Sequence, residues 1–183
     1  VVDYGIDISH PDLKDNCSAT NYSAVDRKEV VKPENSGKHG THVAGIVAAV
    51  NNNGVGICGV AGGDAAKGKK GATLMSCEIF RDVTSNGKTT TKQGSTYSAI
   101  TWAADHGAVI CQNSWSYVVD TNGDKVVSEE EKAAALKRKV NIFDKLAIDY
   151  FIDNAGCDKD GNQLPDSPMK GGLVVFAAGN DNL

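Results

Sequence analysis

Two imidazoles stand three residues apart in the run His39-Gly40-Thr41-His42-Val43-Ala44-Gly45. A ring at the first turn of a helix is held rigidly, and the partial positive charge of a helix N-terminus works against a cation placed there. His39 is therefore positioned as a general base. Because His39 and His42 would share one helix face, a metal centre is the alternative. The run lacks the Glu beside the first His that a zinc-protease helix carries. A carboxylate, Asp3, closes the apolar start Val1-Val2, and an amide, Asn180, follows the apolar run 173–178 through Gly179. An amide so placed can donate to an oxygen that turns negative as a carbonyl is attacked. Taken singly, Asp3 and Asn180 are ordinary turn residues.

The elements that position these groups follow from periodicity. Apolar residues at Val43, Ile46 or Val47, and Val50 mark one face of a helix beginning at His39. Gly40, Ala44, Gly45, Ala48 and Ala49 leave that helix little bulk, so it can lie close against a sheet. Buried strands are expected at Val1–Asp3, Gly71–Phe80, Ala108–Asn113 and Leu173–Ala178. Residues 14–38 are polar and aperiodic, which predicts a surface loop. Asp82–Gln93, with Asn86-Gly87 at its middle, predicts a loop or hairpin. A helix is expected over Gly94–Gly107, with Ile100, Ala103 and Ala104 inward and Tyr97 and Trp102 packing. A long helix starts at Ser128, where Glu131 completes a capping box. Leu136, Val140, Phe143, Ala147 and Phe151 mark its face, and Gly156 stops it.

Composition narrows the function classes. With 183 residues, 19 basic against 23 acidic, the chain fits one domain and has no basic stripe for nucleic acid. No apolar run approaches a membrane span, and no signal peptide opens the sequence. Gly, at 20 residues, is in excess, which suits many tight turns. The five cysteines have no CxxC spacing. Cys58, Cys77 and Cys111 lie in or beside apolar runs as small hydrophobes, and Cys17 and Cys157, in polar loops, could pair.

HGTHVAG, with Val1-Val2-Asp3-Tyr4-Gly5-Ile6-Asp7 before it and Val174-Val175-Phe176-Ala177-Ala178-Gly179-Asn180 after it, resembles the subtilisin-like serine protease family. The linking segment NNNGVGICGVAG is also similar. The resemblance implies an α/β fold, a parallel β-sheet flanked by helices on both faces in three layers, incomplete in this chain. It makes residues 1–183 a single partial catalytic domain with an inserted loop-helix-loop at about 120–172. It implies a serine endopeptidase in which Asp3 orients His39 and Asn180 stabilises the oxyanion. Peptide or protein substrate would lie along Ser114, Trp115 and Ser116 and against Ala178 and Gly179, with Thr89-Thr90-Thr91 as an edge strand it could pair with. Ser116 stands where the family often has Gly. No cofactor is needed for the chemistry, although the family's equivalent of the Asn51–Gly56 loop can wrap a structural calcium through Asn53, aided by Asp12. A plain helix cap and turn is the alternative there. Asp120–Asp124 with Glu131 is similar to an EF-hand, but Lys125 replaces the required Gly, which favours an exposed turn.

The family's nucleophile lies in a Gly-Thr-Ser motif downstream of the oxyanion Asn, and no such triplet occurs here. This polypeptide alone is thus expected to be inactive and to need the remaining part of its domain or another copy to cover its sheet edge. A catalytically silent relative that binds extended peptides is the second reading. The resemblance implies an extracellular or periplasmic location.

Overall fold

The computed structural model describes residues 1–30, 37–123 and 126–180. In chain order its elements are β1 (Val2–Asp3), β2 (Asn21–Ser23), β3 (Lys28–Val30), α1 (Lys38–Ala48), β4 (Gly63–Asp64), β5 (Lys69–Lys70), β6 (Cys77–Glu78), β7 (Phe80–Ser85), β8 (Lys88–Gln93), α2 (Thr96–Asp105), β9 (Ile110–Asn113), α3 (Glu129–Leu136), α4 (Ile142–Asn154) and β10 (Leu173–Phe176). Six strands form the main sheet in the order β10-β9-β1-β6-β2-β3. All neighbours are parallel except β2 and β3.

Successive strand residues face opposite sides of a sheet, and β1 shows what that achieves. Val2 joins a cluster with Ala99, Ile100 and Ala103 of α2 and Ala147 and Phe151 of α4. Val1 packs instead with Ala44 and Ala48 of α1, Ile6, Leu13 and Leu74. The sheet therefore carries helices on both faces, as the sequence implied. β1, near the middle of the sheet, was laid down first, and later strands were added on either side of it. Such a reversal of strand order opens a crevice beyond the carboxyl ends, where ligands gather in α/β sheets.

Several elements depart from expectation. In α1 the buried stripe is Gly40, Ala44, Gly45 and Ala48, whereas Ile46 is 52% exposed. Close approach buries the backbone and small residues rather than the large side chains. Residues 14–38 contain β2, which the polar composition concealed. Its Asn21 and Ser23 are fully buried, and their polar atoms are satisfied internally: Ser76 N–H donates to Asn21 Oδ1, and Ser23 Oγ donates to Glu78 Oε2. That same Asn21 bond removes Ser76 N–H from the ladder, so the strand expected over Gly71–Phe80 contributes only β6 and a bridge between Leu74 and Cys17. Phe80 starts the β7–β8 hairpin instead. Asn86 and Gly87 at its tip both have positive φ, the conformation a two-residue hairpin turn needs.

The long helix is two helices. Ser128 and Glu131 form the capping box of α3, but the chain leaves it at Lys137, where Arg138 Nη1 donates to the Val118 carbonyl. Asn141 then caps α4 by accepting from Phe143 N–H. Leu136, Val140 and Phe143 are exposed, and only Ala147 and Phe151 of the expected stripe are buried. In the EF-hand-like stretch, Asp124 and Lys125 lie outside the described residues, and Glu131 Oε1 accepts from Thr121 N–H. All five cysteines are free, and Cys58 is exposed rather than buried. Burial pushes the Cys77 thiol up to about 12 and the Cys17 thiol to about 11.

Candidate active site

Asp3 ends β1 and is 1% exposed. His39 is the second residue of α1. Their meeting depends on two residues without side chains. A Cβ on Gly37 would stand 2.2 Å from Tyr4 Cβ, and one on Gly40 would stand 2.3 Å from the Gly5 carbonyl oxygen and 3.2 Å from Asp3 Oδ1. Glycine at both places lets the first turn of α1 lie directly on the loop that follows β1, with Gly37 N–H donating to Tyr4 O.

At that contact His39 Nδ1 lies 2.8 Å from Asp3 Oδ1 and 2.9 Å from Oδ2. Tyr4 N–H also donates to Oδ1, at 2.7 Å. A carboxylate only accepts, so the shared proton belongs on Nδ1, and in the neutral tautomer this leaves the Nε2 lone pair free. The ring side chain is 53% exposed while its carboxylate is 2% exposed. This is an imidazole fixed from behind by a buried acid and open in front, the arrangement of an oriented general base.

Ser114, Trp115 and Ser116 leave β9 beside this pair, since Val2 is in register with Asn113. Ser114 Oγ accepts from Gln112 Nε2, and Trp115 packs edge-on between Phe80 and Phe176. Ala178, Gly179 and Asn180 leave the adjacent β10, which ends at Phe176 rather than Ala178. All three are exposed, and Gly179 has φ 88°. The two segments thus depart from neighbouring parallel strands at the edge where Asp3 stands. Among the described residues no hydrogen bond joins the Asn180 amide to Asp3 or His39. Thr89, Thr90 and Thr91 lie on β8 and are exposed.

His42 is exposed on the next turn and faces a separate recess with His10, Asp7 and Asp12. No group of three His, Cys, Asp or Glu that could hold a metal occurs among the described residues. Asp12 and Asn53 do meet, but through hydrogen bonds: Asn53 Nδ2 donates to Asp12 Oδ1 and Ile57 N–H to Oδ2, each at 2.9 Å. Asn53 Oδ1 in turn accepts from Val55 N–H. With N–H donors facing the carboxylate, the two side chains form a hydrogen-bonded clasp.

Two polar clusters beside the site escaped the sequence reading. Glu78, in register with Asp3 and fully buried, is bonded by Arg81 Nε at 2.7 Å, and Arg81 reaches on to Asp26 at 2.8 Å. These bonds raise the Arg81 guanidinium above its ordinary range, Glu78 contributing most, and Arg81 holds the Asp26 carboxyl low. A charged pair at i, i+3 flanking the apolar Ile79-Phe80 was the available signal. The second is Asp144, 8% exposed, which accepts from Thr96 Oγ1 and from Tyr117 Oη. It lies three residues before Ala147 and seven before Phe151, on the buried stripe of α4, and that spacing was its signal.

Comparison with known proteins identifies the family. A family model described as the subtilase family, peptidase S8, matches residues 1–183. The chain is 41% identical to fervidolysin of Fervidobacterium pennivorans over 122 residues, 63% of this chain and 16% of that protein. It is 33% identical to thermitase of Thermoactinomyces vulgaris over 123 residues, 67% of this chain and 38% of that protein. It is 23% identical to subtilisin-like protease 1 of Plasmodium berghei (strain Anka) over 187 residues, 91% of this chain and 27% of that protein. The chain therefore spans well under half the length of these relatives.

Proposed function

Because this chain belongs to the subtilase family, we propose that it supplies the acid, the base and the oxyanion donor of a serine endopeptidase. The observation that carries this reading is the bond from His39 Nδ1 to the buried Asp3 carboxylate, at 2.8 Å.

In this mechanism a serine hydroxyl attacks the scissile carbonyl carbon as its proton passes to His39 Nε2. Asp3 stabilises the imidazolium so formed, and the Asn180 amide donates to the carbonyl oxygen as it becomes negative. His39 then gives the proton to the leaving amine as the C–N bond breaks. Water, deprotonated by the same ring, hydrolyses the acyl-enzyme. The extended peptide lies along Ser114–Ser116, with Ala178 and Gly179 on its other side. No cofactor takes part.

This reading takes its nucleophile from outside the 183 residues, which hold no Gly-Thr-Ser triplet, and expects no serine-dependent activity of them alone. The same further sequence, or another copy, covers β10, whose Leu173, Val175 and Phe176 are exposed on the sheet edge. The location is extracellular or periplasmic. No helix among the described residues is long and apolar enough to cross a membrane.

A fluorophosphonate probe tests the reading on the full-length protein. Covalent labelling that Asp3→Asn and His39→Ala abolish is the expected result. Peptide binding without any labelling would instead establish the silent relative.

A further inference from the structure

A groove of about 890 Å³ runs beside Ser116, between the start of α2 and the start of α4. Six aromatic side chains line it, Tyr4, Phe80, Tyr97, Trp115, Tyr117 and Phe143, and among its described lining residues Asp144 alone carries a charge. On the other side of Ser116–Tyr117 lies a second recess of about 240 Å³, and there too Asp144 is the one charged residue among those described.

The surroundings of Asp144 leave its charge uncompensated. Its two oxygens accept from neutral hydroxyls, Thr96 Oγ1 and, at 2.6 Å, Tyr117 Oη. Each carboxylate oxygen has room for a second donor. Nearby cations are engaged elsewhere: Lys145 Nζ holds Asp149, and Arg138 Nη1 donates to Val118 O while its guanidinium lies 5.8 Å over the Tyr117 ring. No ion pair to Asp144 occurs among the described residues. A carboxylate this buried, without a cation, is costly. The aromatic walls suit the methylene stem and the cationic head of a basic side chain.

We propose that Asp144 is a specificity-determining residue, and that the groove beside Ser116 selects peptides carrying lysine or arginine at the position that enters it. This rests on the reading above that an extended peptide lies along Ser114–Ser116. Asp144 acts on recognition alone, since it is Asp3, not Asp144, that bonds the His39 ring.

The test is binding of fluorescent peptides to the full-length protein, followed by anisotropy, with lysine or its uncharged near-isostere norleucine scanned through each position. At one position lysine should bind about tenfold tighter or more, and added salt should shrink that margin. Asp144→Asn should remove the preference for lysine over norleucine. Equal binding of both series, a preference that survives in Asp144→Asn, or no peptide binding overturns the proposal. The comparison on the unsubstituted protein stands even if the variant does not fold. Fluorophosphonate labelling of the same samples separates the two readings. Labelling without a lysine preference removes this proposal alone, and a lysine preference without labelling removes the protease reading alone.

Discussion

Gly40 is the point at which the geometry can be perturbed without replacing a reacting group. In Gly40→Ala the added carbon would stand 2.3 Å from the Gly5 carbonyl oxygen, a backbone atom that cannot swing aside. Restoring ordinary contact requires the first turn of α1 to retreat by about 1 Å. His39 rides on that turn, so its 2.8 Å bond to Asp3 would stretch beyond hydrogen-bond range. A misplacement of about 1 Å in a catalytic group can cost on the order of 10²-fold in rate. Forced overpacking adds a stability loss of about 1–3 kcal/mol. Gly45, one turn further on, is the internal control. A Cβ there would meet only Ile57 Cδ1, at 3.7 Å, so Gly45→Ala should stabilise the helix by about 0.5–1 kcal/mol. The assay is the rate of fluorophosphonate labelling of the full-length protein, with thermal unfolding of the same variants. Labelling of Gly40→Ala at the parent rate, or equal destabilisation by both substitutions, would refute the reasoning.

Three further outcomes are expected. Arg81→Leu leaves the Glu78 carboxylate, 0% exposed, without its guanidinium and should cost about 3–5 kcal/mol in chemical denaturation. Adding Glu78→Leu should recover most of that loss, and no recovery would mean that the pair is not what holds the region. Asp12→Ala frees the Asn53 amide and Ile57 N–H and should cost about 1–3 kcal/mol. Thermal unfolding of the two proteins checks it, and a melting temperature equal to that of the parent would contradict the clasp. Glu131 is held down to about 2 from 4.5, by backbone bonds from Ser128 and Thr121 first. A carboxyl depressed on folding contributes fully above its unfolded value, and the contribution is lost as pH falls through its folded value. Protection of the α3 amides, taken relative to intrinsic exchange at each pH, should therefore be steady above pH 4.5 and fall between 4.5 and 2, and a flat protection profile would exclude the cap as its cause.

How far the sequence could be read depended on where the polar groups go. β1, α1 and α2 were legible because their apolar or small residues fall at the spacing of the element, and the β7–β8 turn because Asn-Gly has few other conformational uses. His39 was legible from its place at a helix start, whereas Asp3, singly an ordinary turn residue, was marked out by the family resemblance. β2 was not, because Asn21 and Ser23 are buried polar residues, and hydropathy counts a satisfied polar atom as exposed. Glu78 and Arg81 were hidden for the same reason. The break between α3 and α4 was missed because Leu136, Val140 and Phe143 keep a helical spacing although none of the three is buried. Periodicity reports what could face a core, and only the tertiary contact with Val118 decides that the chain turns away. Asp12 and Asn53 were rightly brought together by the sequence, but which atoms face each other could come only from coordinates.

The measurement closest to the central claim is the ¹⁵N NMR spectrum of the His39 ring near neutral pH, in the parent and in Asp3→Asn. The expected result is a neutral ring protonated at Nδ1, with an exchange-protected N–H and an unprotonated Nε2, and loss of that protection in the variant. A ring protonated at Nε2, or a spectrum indifferent to the substitution, would show that Asp3 does not orient His39 and that this imidazole is not the base.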